Sequence, residues 1–104
     1  MKTFPDGLIA VVKHDCQTCR MIQPVMTKLA GGQTPITVLT QDDPEFLCGV
    51  TKVIDDNKLA YSYQLNIEVV PTLMRVENGR EINRIIGWNR KEWRLQTWTA
   101  RGGG

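Results

Sequence analysis

The chain has 104 residues, of which 41% are hydrophobic and 23% charged, and a formal net charge of +2. That describes one domain with enough apolar side chains for a modest core, and it excludes a disordered or fibrous chain. So small a charge, with basic residues interleaved among acids, gives no basis for binding nucleic acid or an anionic membrane.

The longest early apolar run covers residues 8–12 and stops at Lys13. A signal-peptide core takes roughly 7–15 residues and a membrane helix about 20, so a cytoplasmic chain with no membrane partner is expected. Three cysteines, an odd number, do not suit a secreted disulfide scaffold. In a reducing compartment a close cysteine pair does chemistry rather than stapling.

Residues 1–7 are punctuated by Pro5 and Asp6-Gly7, a turn signal. The run Leu8-Ile9-Ala10-Val11-Val12 reads as a strand buried on both faces. Past Cys16-Gln17-Thr18-Cys19, the residues Ile22, Val25, Met26 and Leu29 recur at i, i+3, i+4 and i+7, one face of a helix. Pro24 lies inside that helix and predicts a kink, and Gly31-Gly32 predicts its end in a left-handed cap. Residues 35–40 form a β-branched strand, parallel to the first because a helix intervenes, and 41–44 form a turn. Residues 45–54 show no periodicity. Asp55-Asp56 can cap a short helix carrying Leu59, Ala60 and Tyr63. A strand over 69–76, entered through Pro71, turns at Asn78-Gly79 into a strand over 81–86 that stops at Gly87. Asn89 with Glu92 three residues on forms a capping box for a last helix reaching Trp98.

The order β-α-β-α-β-β-α predicts an α/β domain over residues 1–100, a mixed four-stranded sheet flanked by helices. Residues 101–104, ending in three glycines, read as a flexible tail. Trp88, Trp93 and Trp98, five residues apart, do not share one helical stripe and are expected to pack at the core and its edge.

A CxxC between a strand and a helix is a dithiol redox motif. The attacking group in disulfide exchange is a thiolate, and free N–H groups with the positive dipole end of a helix stabilise an anion by up to ~2 kcal/mol. Cys16 is therefore the candidate nucleophile and Cys19, one turn inward, the resolving thiol. A protonated His14 would favour the thiolate and Asp15 oppose it, although both also read as plain exposed loop residues. A tetrahedral zinc site would need two more ligands, with His14 and Cys48 the available candidates, so no metal and no cofactor are expected. Cys48 reads as a small buried or loop residue rather than a third redox centre.

On these residues the chain resembles the thioredoxin superfamily from about residue 8 to 98. Cys16 and Cys19 match its nucleophilic and resolving cysteines. Pro24, five residues beyond Cys19, matches the proline of the active-site helix. Val70-Pro71-Thr72 is similar to the family's cis-proline segment, Asn78-Gly79 to its hairpin turn, and Gly87 to the glycine closing the last strand. The resemblance implies that Val70 and Pro71 face the dithiol and orient an extended substrate. It further implies a protein or small-molecule disulfide substrate, an electron donor of the thioredoxin-reductase or glutathione kind, and a monomer.

The departures are specific. Asp15 stands where the family has tryptophan, Gln17-Thr18 where it has Gly-Pro, and Ala10 where it buries an acid. The family's N-terminal strand and helix have no counterpart, and about eleven extra residues, 46–56, precede the short helix. Gln17 and Thr18, with His14 and Asp15, are the candidate modulators of the pair. The expected function is a thiol–disulfide oxidoreductase. A non-catalytic adaptor module of the same fold is the alternative, and a soft-metal carrier the more distant one.

Overall fold

The structure, a computed structural model, describes residues 6–31, 35–46 and 52–93. Its elements are β1 (Gly7–Val12), α1 (Gln17–Met21), α2 (Gln23–Ala30), β2 (Ile36–Thr40), β3 (Val53–Asp55), α3 (Ala60–Gln64), β4 (Thr72–Glu77) and β5 (Arg80–Ile86). One further helical turn covers residues 90–93.

The strands form a mixed sheet in the order β3-β2-β1-β4-β5. β1 runs parallel to β2 and antiparallel to β4, β2 runs parallel to β3, and β4 antiparallel to β5. The central strand is apolar throughout because it feeds two cores. Leu8, Ala10 and Val12 point to the side of α1 and α2, and Ile9 and Val11 to the opposite side, with Leu39 and Met74. Each fully buried aliphatic side chain here contributes about 1.5–3 kcal/mol relative to exposure.

The expected thioredoxin-like α/β architecture is present, with one correction. The sheet has five strands, not four. The fifth, β3, lies in the stretch that shows no periodicity, and its three residues are too few to display any. Backbone pairing holds it, with Val38 N–H donating to Lys52 O at 2.8 Å and Asp56 N–H to Thr40 O at 2.7 Å. The extra residues between β2 and α3 thus supply an edge strand.

The expected helix after Cys19 is interrupted rather than merely bent. It stops at Met21 and restarts at Gln23, with Ile22 between the two and Pro24 in the first turn of α2. Proline lacks the N–H that would have bonded four residues back, and its ring crowds that carbonyl. The apolar face still forms, with Ile22 and Met26 fully buried and Val25 and Leu29 packed at its margin. Gly31 caps α2 in the right-handed region, φ −85°, instead of the left-handed one. Gly32 lies outside the described residues, as do Cys48, Trp98 and residues 101–104.

Asp56 caps α3 from a distance. Its carboxylate, almost fully buried, accepts from Tyr61 N–H and Ser62 N–H, both at 2.9 Å, and from Ser62 Oγ at 2.6 Å. The helix buries Ser62 and turns Tyr63 outward, so its inner face is not the one that Leu59 and Tyr63 suggest. The Asn78-Gly79 hairpin has φ +55° and +76°, the positive pair that a two-residue turn with the twist of its strands requires.

Trp93 is buried, packs edge-on against Trp88 at 5.2 Å between ring centroids, and donates from Nε1 to Gly87 O at 3.0 Å. Asn89 Oδ1 accepts from Glu92 N–H at 2.9 Å, so the cap of the last helix forms at the expected residue. The part of that helix beyond residue 93 is outside the described residues.

Candidate active site

At the C-terminal end of β1 the chain leaves the sheet through Lys13, His14 and Asp15 and enters α1 at Cys16. Cys16 is the N-cap, with extended backbone (φ −150°, ψ 114°), and its Sγ accepts from Cys19 N–H at 3.2 Å. A polar side chain in this position takes one of the free amides of the first helical turn, and sulfur here does what a serine oxygen does elsewhere. The same Sγ–H faces Val70 O at 3.9 Å, across 54 positions of sequence. Val70 is joined to Pro71 by a cis peptide bond. The structure thus brings Cys16, Cys19, Val70 and Pro71 together. Gln17 lies exposed on α1, and Thr18 is half-buried with its carbonyl accepting from Ile22 N–H at 3.1 Å.

The two thiols are free and occupy different surroundings. Cys16 is half-exposed, whereas Cys19 has no accessible surface and belongs to the cluster of Ala10, Val12 and Leu73. Burial, chiefly, pushes the Cys19 thiol up to about 12, and its hydrogen bond with Cys16 works the same way. The charges of Cys16 and Asp42 raise it further, and a hydrogen bond with the Lys13 backbone opposes them. Cys19 is therefore a protonated thiol throughout the neutral range. Ala10, fully buried in the same cluster, leaves no acid at the position where the resemblance leads one to look for it.

Of the expected modulators, His14 and Asp15 are exposed, and their backbone matters as much as their side chains. The carboxylate of Asp42 accepts His14 N–H at 2.7 Å on Oδ1 and Asp15 N–H at 2.9 Å on Oδ2. From the other side Arg20 Nη1 donates to His14 O at 2.7 Å. The His14 ring rests edge-on against Phe46, 5.0 Å between centroids, and Phe46 O accepts from Gln23 Nε2 at 2.9 Å. Burial works to raise the Asp42 carboxyl, but the two amides and the charges of His14 and Lys13 outweigh it and hold it below the usual carboxylate range. Asp42, Arg20 and Phe46 were not among the site residues read from sequence. Asp42 and Phe46 meet partners more than twenty positions away, which no local pattern encodes, and Arg20 reaches six residues back to a loop carbonyl that its sequence does not mark.

Beside Val70 a cavity of about 360 Å³ opens between the ends of β1 and β2 and the start of α3. Lys13, Gln41 and Ser62 line it with polar groups, and Leu59, Tyr63 and Val69 with apolar ones. Leu59, Tyr63 and Val69 are also among the exposed large hydrophobic residues. Among the described residues no group of three or more histidines, cysteines or carboxylates could hold a metal ion.

No protein-family model matches the chain. A curated thioredoxin of Chlamydia pneumoniae is 27% identical over 78 residues, which span 75% of this chain and 65% of that protein's length. Among solved structures, spinach chloroplast thioredoxin f in its short form superposes with a TM-score of 0.69 at 19% identity, covering 93% of this chain and 79% of that one. Thioredoxin f2, solved in complex with ferredoxin:thioredoxin reductase, superposes with a TM-score of 0.67 at 17% identity, covering 91% and 76%.

Proposed function

We propose that this chain, whose fold is that of the thioredoxins and whose two cysteines stand at the CxxC spacing, is a thiol–disulfide oxidoreductase that works through Cys16 and Cys19. The observation that carries this reading is the position of Cys16 Sγ, on the N–H of Cys19 at 3.2 Å and facing Val70 O at 3.9 Å. Negative charge on that sulfur is met by a helix N-terminal amide, and the half-exposed thiol is open to a substrate.

Cys16 thiolate attacks one sulfur of a substrate disulfide and forms a mixed disulfide, and the other substrate sulfur leaves as a thiol once protonated. Cys19 Sγ then attacks Cys16 Sγ and expels the second substrate thiol. Two electrons pass to the substrate, and the protein is left with a Cys16–Cys19 disulfide. Cys19 must give up its proton in that second step, and the departing thiolate is its acceptor, since Ala10 supplies none. Val70 and Pro71 orient the substrate, whose extended backbone lies along residues 69–71 with a flanking side chain toward the cavity beside Tyr63.

The substrate is a protein or small-molecule disulfide. A reductase returns the electrons, a reading supported by the reductase-bound thioredoxin f2 neighbour, with glutathione as the competing donor. A close cysteine pair used for chemistry rather than for stapling fits a reducing compartment. The cytoplasmic assignment rests on that chemistry, and the spinach neighbour is a chloroplast protein. No helix among the described residues is long and apolar enough to cross a membrane.

Reduction of insulin by dithiothreitol is the test. Cys16→Ser is expected to lose all acceleration over the uncatalysed reaction. Cys19→Ser should accumulate a mixed disulfide visible by mass spectrometry. Full insulin reduction by Cys16→Ser would overturn the assignment.

A further inference from the structure

The loop that delivers Cys16 to the helix is held from outside by one carboxylate. Asp42 stands in the turn after β2, and its two oxygens take the amides of the two residues immediately before Cys16, at 2.7 and 2.9 Å. Hydrogen bonds from N–H groups to an ionised oxygen are about twice as strong as neutral ones, and a carboxylate that uses both oxygens fixes orientation as well as distance. Arg20 completes the grip by taking His14 O at 2.7 Å. His14 is thus held at both its amide and its carbonyl, so the backbone entering Cys16 has little freedom left. Cys16 itself is held further by its carbonyl, which accepts Arg20 N–H at 3.0 Å, and by the weaker contact from Cys19 N–H to its sulfur at 3.2 Å.

We propose that Asp42 is a positioning residue for the dithiol, holding the His14-Asp15 backbone so that Cys16 Sγ stays within reach of Cys19 during resolution of the mixed disulfide. The proposal rests on the oxidoreductase reading and adds a residue to it. Resolution is the step at stake. Before it, Cys16 is bonded to a substrate sulfur that pulls it outward, and Cys19, buried in the core, cannot follow. Cys19 Sγ forms the new S–S bond with Cys16 Sγ as the Cys16–substrate bond breaks, the substrate sulfur leaves as thiolate, and the Cys19 proton goes to it. A one-ångström drift of Cys16 costs this intramolecular reaction its effective concentration.

Charge and position predict opposite outcomes. The Asp42 carboxylate is negative and close enough to be felt at Cys19, so a purely electrostatic role predicts that removing it eases deprotonation of Cys19 and speeds resolution. A positioning role predicts that removing it slows resolution.

Ellman's disulfide separates the steps, because attack by Cys16 releases one thionitrobenzoate and resolution by Cys19 releases the second. The measurement uses the full chain carrying Cys48→Ser, so that the pair alone reports. Asp42→Ala is expected to slow the second release about tenfold, the change that ~1.4 kcal/mol of lost organisation produces. Asp42→Asn, with one carbonyl oxygen still able to accept an amide, should fall between Asp42→Ala and the parent. Asp43→Ala, in the same turn and bonded through its carboxylate to Glu45 N–H at 3.0 Å instead of to the loop, should leave the second release unchanged.

Equal or faster second release in Asp42→Ala, at an unfolding midpoint matching that of Asp43→Ala, would overturn the proposal. If Asp42→Ala does not fold, Asp42→Asn decides by the same criterion. A parent protein that releases only one equivalent would instead overturn the dithiol mechanism itself, so the two failures are distinct.

Discussion

Cys19 gives the most exacting test of the site's electrostatics. Its thiol stands at about 12 in the folded reduced protein against an ordinary 9.0, chiefly because burial disfavours the thiolate. A pKa raised by folding contributes stability that is complete below the unfolded value and is lost as pH rises toward the folded one. Below pH 9 the thiol is protonated in both states and Cys19 adds no pH dependence. Above it the unfolded chain ionises while the folded one resists, so stability falls by about 1.4 kcal/mol for each pH unit. At pH 10.5 the loss amounts to roughly 2 kcal/mol, and over the whole interval from 9.0 to about 12 it approaches ~4 kcal/mol. Lysines and tyrosines ionise in the same range, so the comparison is made with Cys19→Ala. Urea unfolding of both reduced proteins at a series of pH values between 8 and 11 is the assay, approximate bounds set by the linkage argument. Cys19→Ala should be the less stable at pH 8, by the small cavity that the missing sulfur leaves, and that deficit should shrink steadily above pH 9. Two stability curves that stay parallel would refute the claim that burial holds Cys19 as a thiol.

Two further outcomes follow from packing. A methyl group on Gly7 would stand 2.5 Å from Pro35 O, whose carbonyl already accepts Leu8 N–H at 2.8 Å, at a φ of +123°. Gly7→Ala should therefore cost at least about 2 kcal/mol in chemical denaturation, from backbone strain and the displaced β1–β2 entry. Asp56→Ala removes the acceptor for Tyr61 N–H, Ser62 N–H and Ser62 Oγ. Ser62 Oγ keeps its bond from Gln41 Nε2 at 2.8 Å, but the two amides lose a charged acceptor, so a loss of roughly 2–4 kcal/mol is expected, with hydrogen exchange accelerated over 60–64 more than in the central strands.

What could be read from the sequence was what short-range pattern encodes. The five-residue apolar run became the central strand because a strand buried on both faces needs no alternation, and Ile22, Val25, Met26 and Leu29 faced the core because the 3.6-residue period survives an interruption. Asn78-Gly79 and Asn89 with Glu92 formed where their local chemistry requires. The position of Cys16 at a helix start was legible for the same reason. The rest depended on partners far along the chain. β3 exists because the exposed edge of β2 accepts it, which three residues cannot announce. Asp42 matters because its carboxylate meets amides 27 and 28 positions earlier. The inner face of α3 is set by the Asp56–Ser62 bond together with Tyr61 and Leu65 against the second core, and not by Leu59 and Tyr63, which are exposed.

The five-strand sheet also has two rims, and their protection differs. On the β3 side the outermost strand is three residues long and ends at Asp55, too brief a template for another chain to continue. On the far side β5 is seven residues long and exposes Ile82 and Ile86, but Arg80, Glu81 and Arg84 punctuate it and the ladder slips at Arg75 and Val76. Charges and an irregular register are the means by which an open sheet edge resists recruiting a neighbour. The insertion that supplies β3 therefore does more than lengthen the sheet: it closes that border with a strand too small to be copied, and leaves the guarding of the other to charge.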